Sequence, residues 1–327
     1  MLSLVSKLYG GVAGLRNVLY ERRIFETHDL GAFTVSIGNI TTGGTGKTPL
    51  VNSVAELLAD RGNKVCILTR GYGREDVSKR VLVTAESDPA IAGDEPVELA
   101  RRLGERATII ADRDRVAAAE WAKRKFGITA FVLDDGFQHR RVRRDLDIVC
   151  IDATNPFGGG EMLPAGRLRE PLANLARAKA IVITRADLVE DLSDLKAEIE
   201  QLAPDAGIFE CSNAIRAITP LNPATKKFSK KTRCYAFCGL GNPDSFLKLL
   251  ASNDLDIAGI KPFRDHHKYT QADIVAIESD ARNAGAECLL TTAKDAVKLA
   301  NLMFTLPAYV VEIDVKIMDA NAFSRLF

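Results

Sequence analysis

The stretch SIGNITTGGTGKTP, residues 36–49, constrains this chain more than any other part of it. An apolar run at 33–38 leads in and a helical pattern at 49–61 leads out, so its glycines fall in a strand-to-helix turn. Gly43, Gly44 and Gly46 permit the backbone angles and close approach that let N–H groups surround phosphate oxygens. The helix N-terminus adds partial positive charge, and Pro49 suits its first turn. In this setting Lys47 reaches the β- and γ-phosphates and the Thr48 hydroxyl holds Mg²⁺, with Thr42 and Thr45 completing the loop. One departure stands out: Thr41 occupies the first glycine of the general G-x-x-x-x-G-K-[ST] pattern.

A Mg²⁺ ion on such a loop needs a second ligand, usually an acid at the end of a neighbouring strand. FVLDDGFQH, residues 131–139, supplies Asp134 and Asp135 after an apolar strand, although two solvated turn carboxylates are the plainer reading. From residue 33 onward short apolar runs alternate with helical patterns, the mark of an α/β fold with a parallel sheet. Strands are expected at 33–38, 65–69, 108–111, 130–133, 148–151 and 180–184, and helices at 49–61, 95–103, 115–126 and 192–202. Residues 220–233, PLNPATKKFSKKTR, read as a linker. Beyond it, strands at 234–238, 288–292 and 309–313 alternate with helices at 244–251 and 270–283. The simplest organisation is a phosphate-loop domain over 26–220 and a smaller α/β domain over 221–327.

Residues 1–25 form a third segment. Leu2, Leu4, Val5, Leu8, Val12, Leu15, Val18 and Leu19 recur at mostly three- and four-residue spacing, with Lys7, Arg16, Arg22 and Arg23 at the edge. An apolar stripe with a basic border suits a helix lying in a membrane interface, and it equally suits a terminal helix docked on the core. No run of about 20 uncharged apolar residues is present to span a bilayer. With a formal net charge of +1, nucleic acid is not expected as a partner, and any anion must be bound by a local cluster. The six cysteines include no C-x-x-C pair, so neither a zinc framework nor a disulfide framework is expected. Nothing points to an obligate protein partner.

Further segments carry a resemblance. GNITTGGTGKTP, TRGYG (69–73), GDEP (93–96), DRDR (112–115), DDGFQHRRVRRD (134–145), LPAGRLREP (163–171), GLGNP (239–243), FRDHHKYT (263–270) and TTAKDAVKL (291–299) follow one another in order. With LYGGVAGLRNVLYERR near the start, the series resembles that of the tetraacyldisaccharide 4'-kinase family. The resemblance implies a P-loop NTPase-like parallel-sheet domain plus a second, smaller α/β domain, with the site in the cleft between them. It implies transfer of the ATP γ-phosphate to the 4'-hydroxyl of an acylated glucosamine disaccharide 1-phosphate, with Mg²⁺, at the cytoplasmic face of the bacterial inner membrane. Two positions depart from the family pattern: Ala293 where Glu is expected, and Arg167 where Pro is expected.

The resemblance also assigns roles. Asp94 and His266 resemble the family's base dyad, Asp94 accepting the hydroxyl proton and His266 orienting it, and Glu95 would assist the metal. The plainer alternatives are a helix-capping Asp94 and a loop histidine at 266. Because 172 positions separate the two, the dyad is expected to form only when the domains close. Tyr72, Arg115, Gln138, His139 and Arg169 lie in segments suited to the sugar and its 1-phosphate. The basic run Arg140, Arg141, Arg143 and Arg144 either faces anionic lipid or forms a solvated, partly paired edge.

Two other functions compete. A membrane-surface regulatory ATPase shares the loop and the helix, but its signature lysine is replaced by Thr42. A P-loop GTPase is suggested by ITRADL (183–188), where Thr184 and Arg185 replace the Asn and Lys that read guanine.

Overall fold

The computed structural model describes residues 2–222 and 225–327, so residues 223 and 224 of the expected linker lie outside it, as does residue 1. The strands in chain order are β1 (Phe33–Asn39), β2 (Val65–Thr69), β3 (Val81–Val83), β4 (Ala107–Ala111), β5 (Ala130–Asp134), β6 (Leu146–Asp152), β7 (Ala180–Thr184), β8 (Gly207–Pro220), β9 (Cys234–Cys238), β10 (Ile257–Pro262), β11 (Cys288–Thr292) and β12 (Ala308–Ile317). They join in one sheet of order β10-β9-β11-β12-β8-β7-β6-β1-β5-β2-β4-β3. The helices are α1 (Leu2–Glu21), α2 (Lys47–Asp60), α3 (Pro89–Ala92), α4 (Asp94–Leu103), α5 (Arg115–Phe126), α6 (Ser193–Leu202), α7 (Pro243–Ala251), α8 (Gln271–Asn283), α9 (Ala293–Ala296) and α10 (Ala320–Ser324).

Register places the chemistry. β1 runs parallel between β5 and β6, with Ile37 beside Asp134 and Asn39 beside Cys150. The phosphate loop therefore leaves the sheet next to the acid pair. β1 sits at the centre with both faces covered, Val35 and Ile37 apolar on one side and the small residues Thr34, Ser36 and Gly38 on the other. On one face α2 inserts Leu50, Val51, Val54 and Leu58, all fully buried. Each such side chain contributes about 1.5–3 kcal/mol by leaving water. That packing fixes the helix whose first residue is Lys47.

Three strands carry no clear signal in the sequence. β3 is a three-residue edge strand, and β10, IAGIKP, is interrupted by glycine and closed by proline. β8 spans 14 residues and is half-buried along nearly its whole length, so it shows neither an apolar run nor a clean alternation. Its start pairs in parallel with β7 and the rest pairs antiparallel with β12. One strand thus links the two halves of the sheet. Pro220 ends it, and the expected linker opens from that point.

α1 reverses the usual burial rule for a surface helix. Leu4, Leu8, Val12 and Leu15 are 61–69% exposed, whereas Ser6 and Asn17 are buried at 6% and 2%. The Asn17 amide donates to Glu170 Oε2 at 3.0 Å, and Ser6 Oγ accepts from the Ala165 N–H at 3.0 Å. Arg140 donates to the Asn17 carbonyl at 3.0 Å and Arg16 to the Gln138 carbonyl at 3.2 Å. The helix is held by its polar face and presents its apolar face outward, so both readings of this segment describe part of it. The basic run is paired: Arg141 with Asp114 at 3.2 Å, Arg143 with Asp29 at 2.9 Å, and Arg144 with Asp147 at 2.6 Å.

Candidate active site

The phosphate loop is held from behind by hydrogen bonds. Asn39 Nδ2 donates to Thr45 Oγ1 at 3.0 Å, and Thr184 Oγ1 donates to the Thr45 carbonyl at 2.9 Å. Arg185 donates to the Gly44 carbonyl at 2.8 Å while paired with Asp152. Gly46 caps α2 at φ 74°, where a side chain would be strained and would meet Thr184. Thr41 is buried and bridged to Leu168, so it needs no glycine-only conformation. That explains the departure from the general pattern. Arg185, which stands where a guanine-reading motif has lysine, is occupied in supporting the loop.

Asp134 and Asp135 are neighbours with opposite electrostatics. Burial alone would raise Asp135, but Lys47 and Arg169 outweigh it and hold the carboxyl at about 2. Lys47 Nζ lies 3.4 Å from Asp135 Oδ1, and Arg169 donates to the two Asp135 oxygens at 2.8 and 2.7 Å. Asp135 also adopts φ 50°, in the left-handed region that non-glycine residues seldom occupy. Burial, then Glu95 and Asp135, push Asp134 up to about 6. Its side chain accepts one neutral hydrogen bond, from Thr69 Oγ1 at 3.0 Å.

A buried carboxylate raised in this way is a place where positive charge is missing. Thr48, Glu95, Asp134 and Asp135 line one cavity and offer only oxygen, the donor type that Mg²⁺ prefers. Among the described residues no three His, Cys, Asp or Glu side chains form a closed metal cluster. A P-loop Mg²⁺ needs none, since phosphate oxygens and water fill most of its shell. The residues fit the ion, with Asp134 the freer ligand because Asp135 is engaged by two cations.

Asp94 and His266 are brought together. His266 Nδ1 lies 2.8 Å from Asp94 Oδ2, although the sequence leads one to expect them apart until the domains close. Asp94 opens α4 through Gly93 (φ 93°), where a Cβ would stand 3.1 Å from the Tyr72 carbonyl. Burial works to raise Asp94, but the His266 hydrogen bond and charge, with Lys294, keep it below the usual carboxylate range. The same bond raises His266 against the opposing effects of burial and Lys294. Of the two, His266 lines the cavity and Asp94 lies behind it.

The cavity, about 860 Å³, reaches from the phosphate loop past His266 to Tyr9, Val12 and Arg16 of α1. Tyr72 is 68% exposed on its wall, its ring 5.3 Å from that of His266. Arg115, Gln138, His139 and Arg169 also line it, and three of them are bonded to the protein as well. Arg115 is buried and donates to the Asp134 carbonyl at 2.8 Å. Gln138 donates to the Asn39 carbonyl at 2.9 Å and to Glu170 at 2.8 Å. Burial, then Arg115 and Arg144, push His139 down to about 3, so it is neutral, and its Nε2 is buried without a partner among the described residues.

Sequence reasoning misses two groups here. Lys294 stands beside His266, Asp265 and Glu95. Half-buried Glu98, one turn along α4 from Asp94, is pushed up to about 8 by burial and then by Glu95. Lys294 follows Ala293, the position where the family pattern has a carboxylate, and an i,i+4 scan from Asp94 reaches Glu98.

The chain matches, over residues 1–327, the family described as tetraacyldisaccharide-1-P 4'-kinase. A curated tetraacyldisaccharide 4'-kinase of Halothermothrix orenii is 36% identical over 319 residues, 92% of this chain and 83% of its own. One from Syntrophus aciditrophicus is 34% identical and covers 100% of this chain and 91% of its own. Among solved structures, LpxK from Aquifex aeolicus in complex with ATP is 29% identical with a TM-score of 0.77, over 98% of this chain and 96% of that one.

Proposed function

The chain belongs to the tetraacyldisaccharide-1-P 4'-kinase family, and on that premise we propose how its residues divide the reaction. The enzyme transfers the γ-phosphate of ATP to the 4'-hydroxyl of a tetraacylated glucosamine disaccharide 1-phosphate, forming lipid IVA in lipid A assembly. The N–H groups of residues 42–48 and the Lys47 ammonium bind the β- and γ-phosphates. Thr48 and Asp134 would hold Mg²⁺, with Glu95 beside them and Asp135 setting Lys47. When bound, Mg²⁺ neutralises charge on the phosphoryl oxygens.

A sugar hydroxyl is a weak nucleophile. The Asp94–His266 pair withdraws its proton as the oxygen bonds to the γ-phosphorus and the bond to ADP breaks. Tyr72 and His139 face the sugar, while Arg115, Gln138 and Arg169 shape the wall that receives its anionic end. Residues 26–220 and 221–327 are the two units whose approach excludes water. The observation that carries this reading is the 2.8 Å contact between Asp94 and His266, beside the cavity that the phosphate loop opens into. Purified lipid A disaccharide 1-phosphate and labelled ATP test it. Asp94→Ala and His266→Ala should bind ATP and form little product. Product at the wild-type rate from Asp94→Ala would overturn the assignment.

A second observation supports the membrane. Among the described residues no helix is long and apolar enough to cross one, but α1 turns its leucines outward and is held by its polar side. An apolar helix face beside the cavity suits peripheral attachment at the cytoplasmic face of the inner membrane, where the acyl chains of the substrate remain in lipid.

A further inference from the structure

We infer that Arg167 is a further phosphate-binding residue, a cation that this chain holds over its phosphate loop to bind the γ-phosphate of the nucleotide. The inference rests on the phosphate-loop reading above and deepens it. Residues 167–169 run antiparallel to residues 40–42. The Thr42 N–H donates to the Arg167 carbonyl at 2.8 Å, the Arg169 N–H donates to the Ile40 carbonyl at 2.8 Å, and Thr41 stands opposite Leu168. Side chains alternate between the two faces of such a ribbon. Leu168 is buried in the core, so Arg167 and Arg169 share the other face. Arg169 uses that face to reach Asp135, which in turn meets Lys47. Arg167 is turned to the same side, one step nearer the glycines of the loop.

The side chain of Arg167 is guided toward the loop and left without a protein partner. A Cβ built on Gly43 would stand 3.9 Å from Arg167 Nη1, so the guanidinium lies against the loop itself. Gly158, at φ 60°, makes room for the stem: a Cβ there would stand 2.5 Å from Arg167 Cβ and 3.1 Å from Cδ. Three other arginines near the loop are bonded to protein, Arg115 to the Asp134 carbonyl, Arg169 to Asp135, and Arg185 to Asp152 and the Gly44 carbonyl. Arg167 is exposed, and its guanidinium has no hydrogen bond or ion pair among the described residues. A guanidinium tied to the loop through its own main chain, with its N–H donors unfilled, suits an anion that arrives with the substrate. The anion that a loop of this kind receives is the terminal phosphate of the nucleotide. As its bond to the ADP oxygen breaks and the bond to the sugar oxygen forms, charge spreads over the phosphoryl oxygens, and a planar guanidinium can meet two of them. The family pattern has proline at this position, so the cation is additional to Lys47.

The test compares ADP with a non-hydrolysable ATP analogue, each with Mg²⁺, by calorimetry on the full-length protein, alongside co-sedimentation with anionic phospholipid vesicles. Arg167→Ala should weaken the analogue by about tenfold while ADP stays within about twofold, because only the analogue carries a γ-phosphate. Turnover with the lipid disaccharide should fall by about 10² in kcat. Arg167→Lys should recover part of the analogue affinity and little of kcat, since an ammonium keeps the charge and loses the planar fork. Neither variant should change Tm or sedimentation, because the side chain is exposed. Unchanged analogue affinity in Arg167→Ala would overturn the inference and leave a solvated arginine. So would an equal loss for ADP and the analogue, or weaker sedimentation with nucleotide binding intact, which would assign the arginine to lipid headgroups. Selective loss of the analogue with kcat unchanged upholds the contact and confines it to the bound nucleotide. Lys47→Ala, which should weaken both nucleotides, separates this outcome from the loop reading. Normal binding in Lys47→Ala would end both, whereas a loss there without one in Arg167→Ala would end only the assignment of Arg167.

Discussion

The two ends of the cavity are held together by different means. At the phosphate end the loop is supported by residues of one half of the chain, through main-chain carbonyls and buried partners such as Thr184 and Arg185. At the base end the geometry depends on side chains that meet across 172 positions, His266 on Asp94, with Lys294 on Glu95 beside them. A loop supported by its own backbone tolerates losses at its margin. A pair assembled from two halves of a sheet depends on a few contacts, and those contacts also set its charge.

The base end gives the larger test of that contrast. On the proposed dyad, Asp94→Ala should lower kcat by about 10²–10⁴ with ATP binding retained, because a general base acts in the transition state. Adding His266→Ala should cost little beyond the poorer single variant at saturating ATP, since residues acting as a unit are non-additive. Losses that multiply would mean that the two serve separate steps. At the phosphate end Lys47→Ala should lower kcat/KM by about 10²–10³, the usual consequence of removing one electrostatic contact from transferring phosphate. Near-normal turnover in that variant would end the phosphate-loop assignment.

How much of this was legible differs between the same two ends. The phosphate loop, the acid pair and most central strands could be read because their signals are local: glycines before a Lys–Thr pair, and an apolar run ending in two aspartates. Arg185 and Lys294 could not, because their partners lie 141 and 28 positions away, and Glu98 could not, because what raises it first is burial by the fold. Arg115, Gln138 and Arg169 were placed at the site, but the structure adds that their polar groups hold the Asp134–Asp135 corner and its wall. β8 escaped notice because a strand half-covered on both faces carries no period. α1 shows the opposite failure: its stripe was clear, yet the pattern alone could not show that the stripe faces out.

Two smaller effects sharpen the contrast from outside it. Leu8→Asp with Leu15→Asp on the exposed face of α1 should weaken co-sedimentation with anionic vesicles by about tenfold or more, since each leucine contributes about 1.5–3 kcal/mol on burial in lipid. ATP hydrolysis without lipid should be unaffected. These substitutions are preferable to deleting the helix, which would strip Asn17 from buried Glu170. Unchanged sedimentation would place the membrane contact elsewhere.

The smallest effect concerns Asp134. Its folded value, about 6, lies above the ordinary 3.8, so the folded protein binds a proton that the unfolded chain releases. Stability from this proton is complete below about pH 4 and is lost as the pH rises through about 6. Without nucleotide or Mg²⁺, Asp134→Asn should therefore raise Tm at pH 7.5 by about 2–5 °C, with the gain shrinking toward pH 5. A drop in Tm at pH 7.5 would show that the carboxylate is already compensated.

One wall of the cavity belongs to α1, through Tyr9, Val12 and Arg16, on the same helix whose leucines face outward. On the membrane reading the enzyme draws its lipid laterally from the leaflet, so the concentration that governs turnover is a surface density. Diluting the substrate with inert phospholipid at constant bulk amount should slow the reaction in proportion to mole fraction, and adding buffer to the same vesicles should leave the rate of bound enzyme unchanged. Two-dimensional kinetics of this kind would follow from where a single helix puts its apolar side.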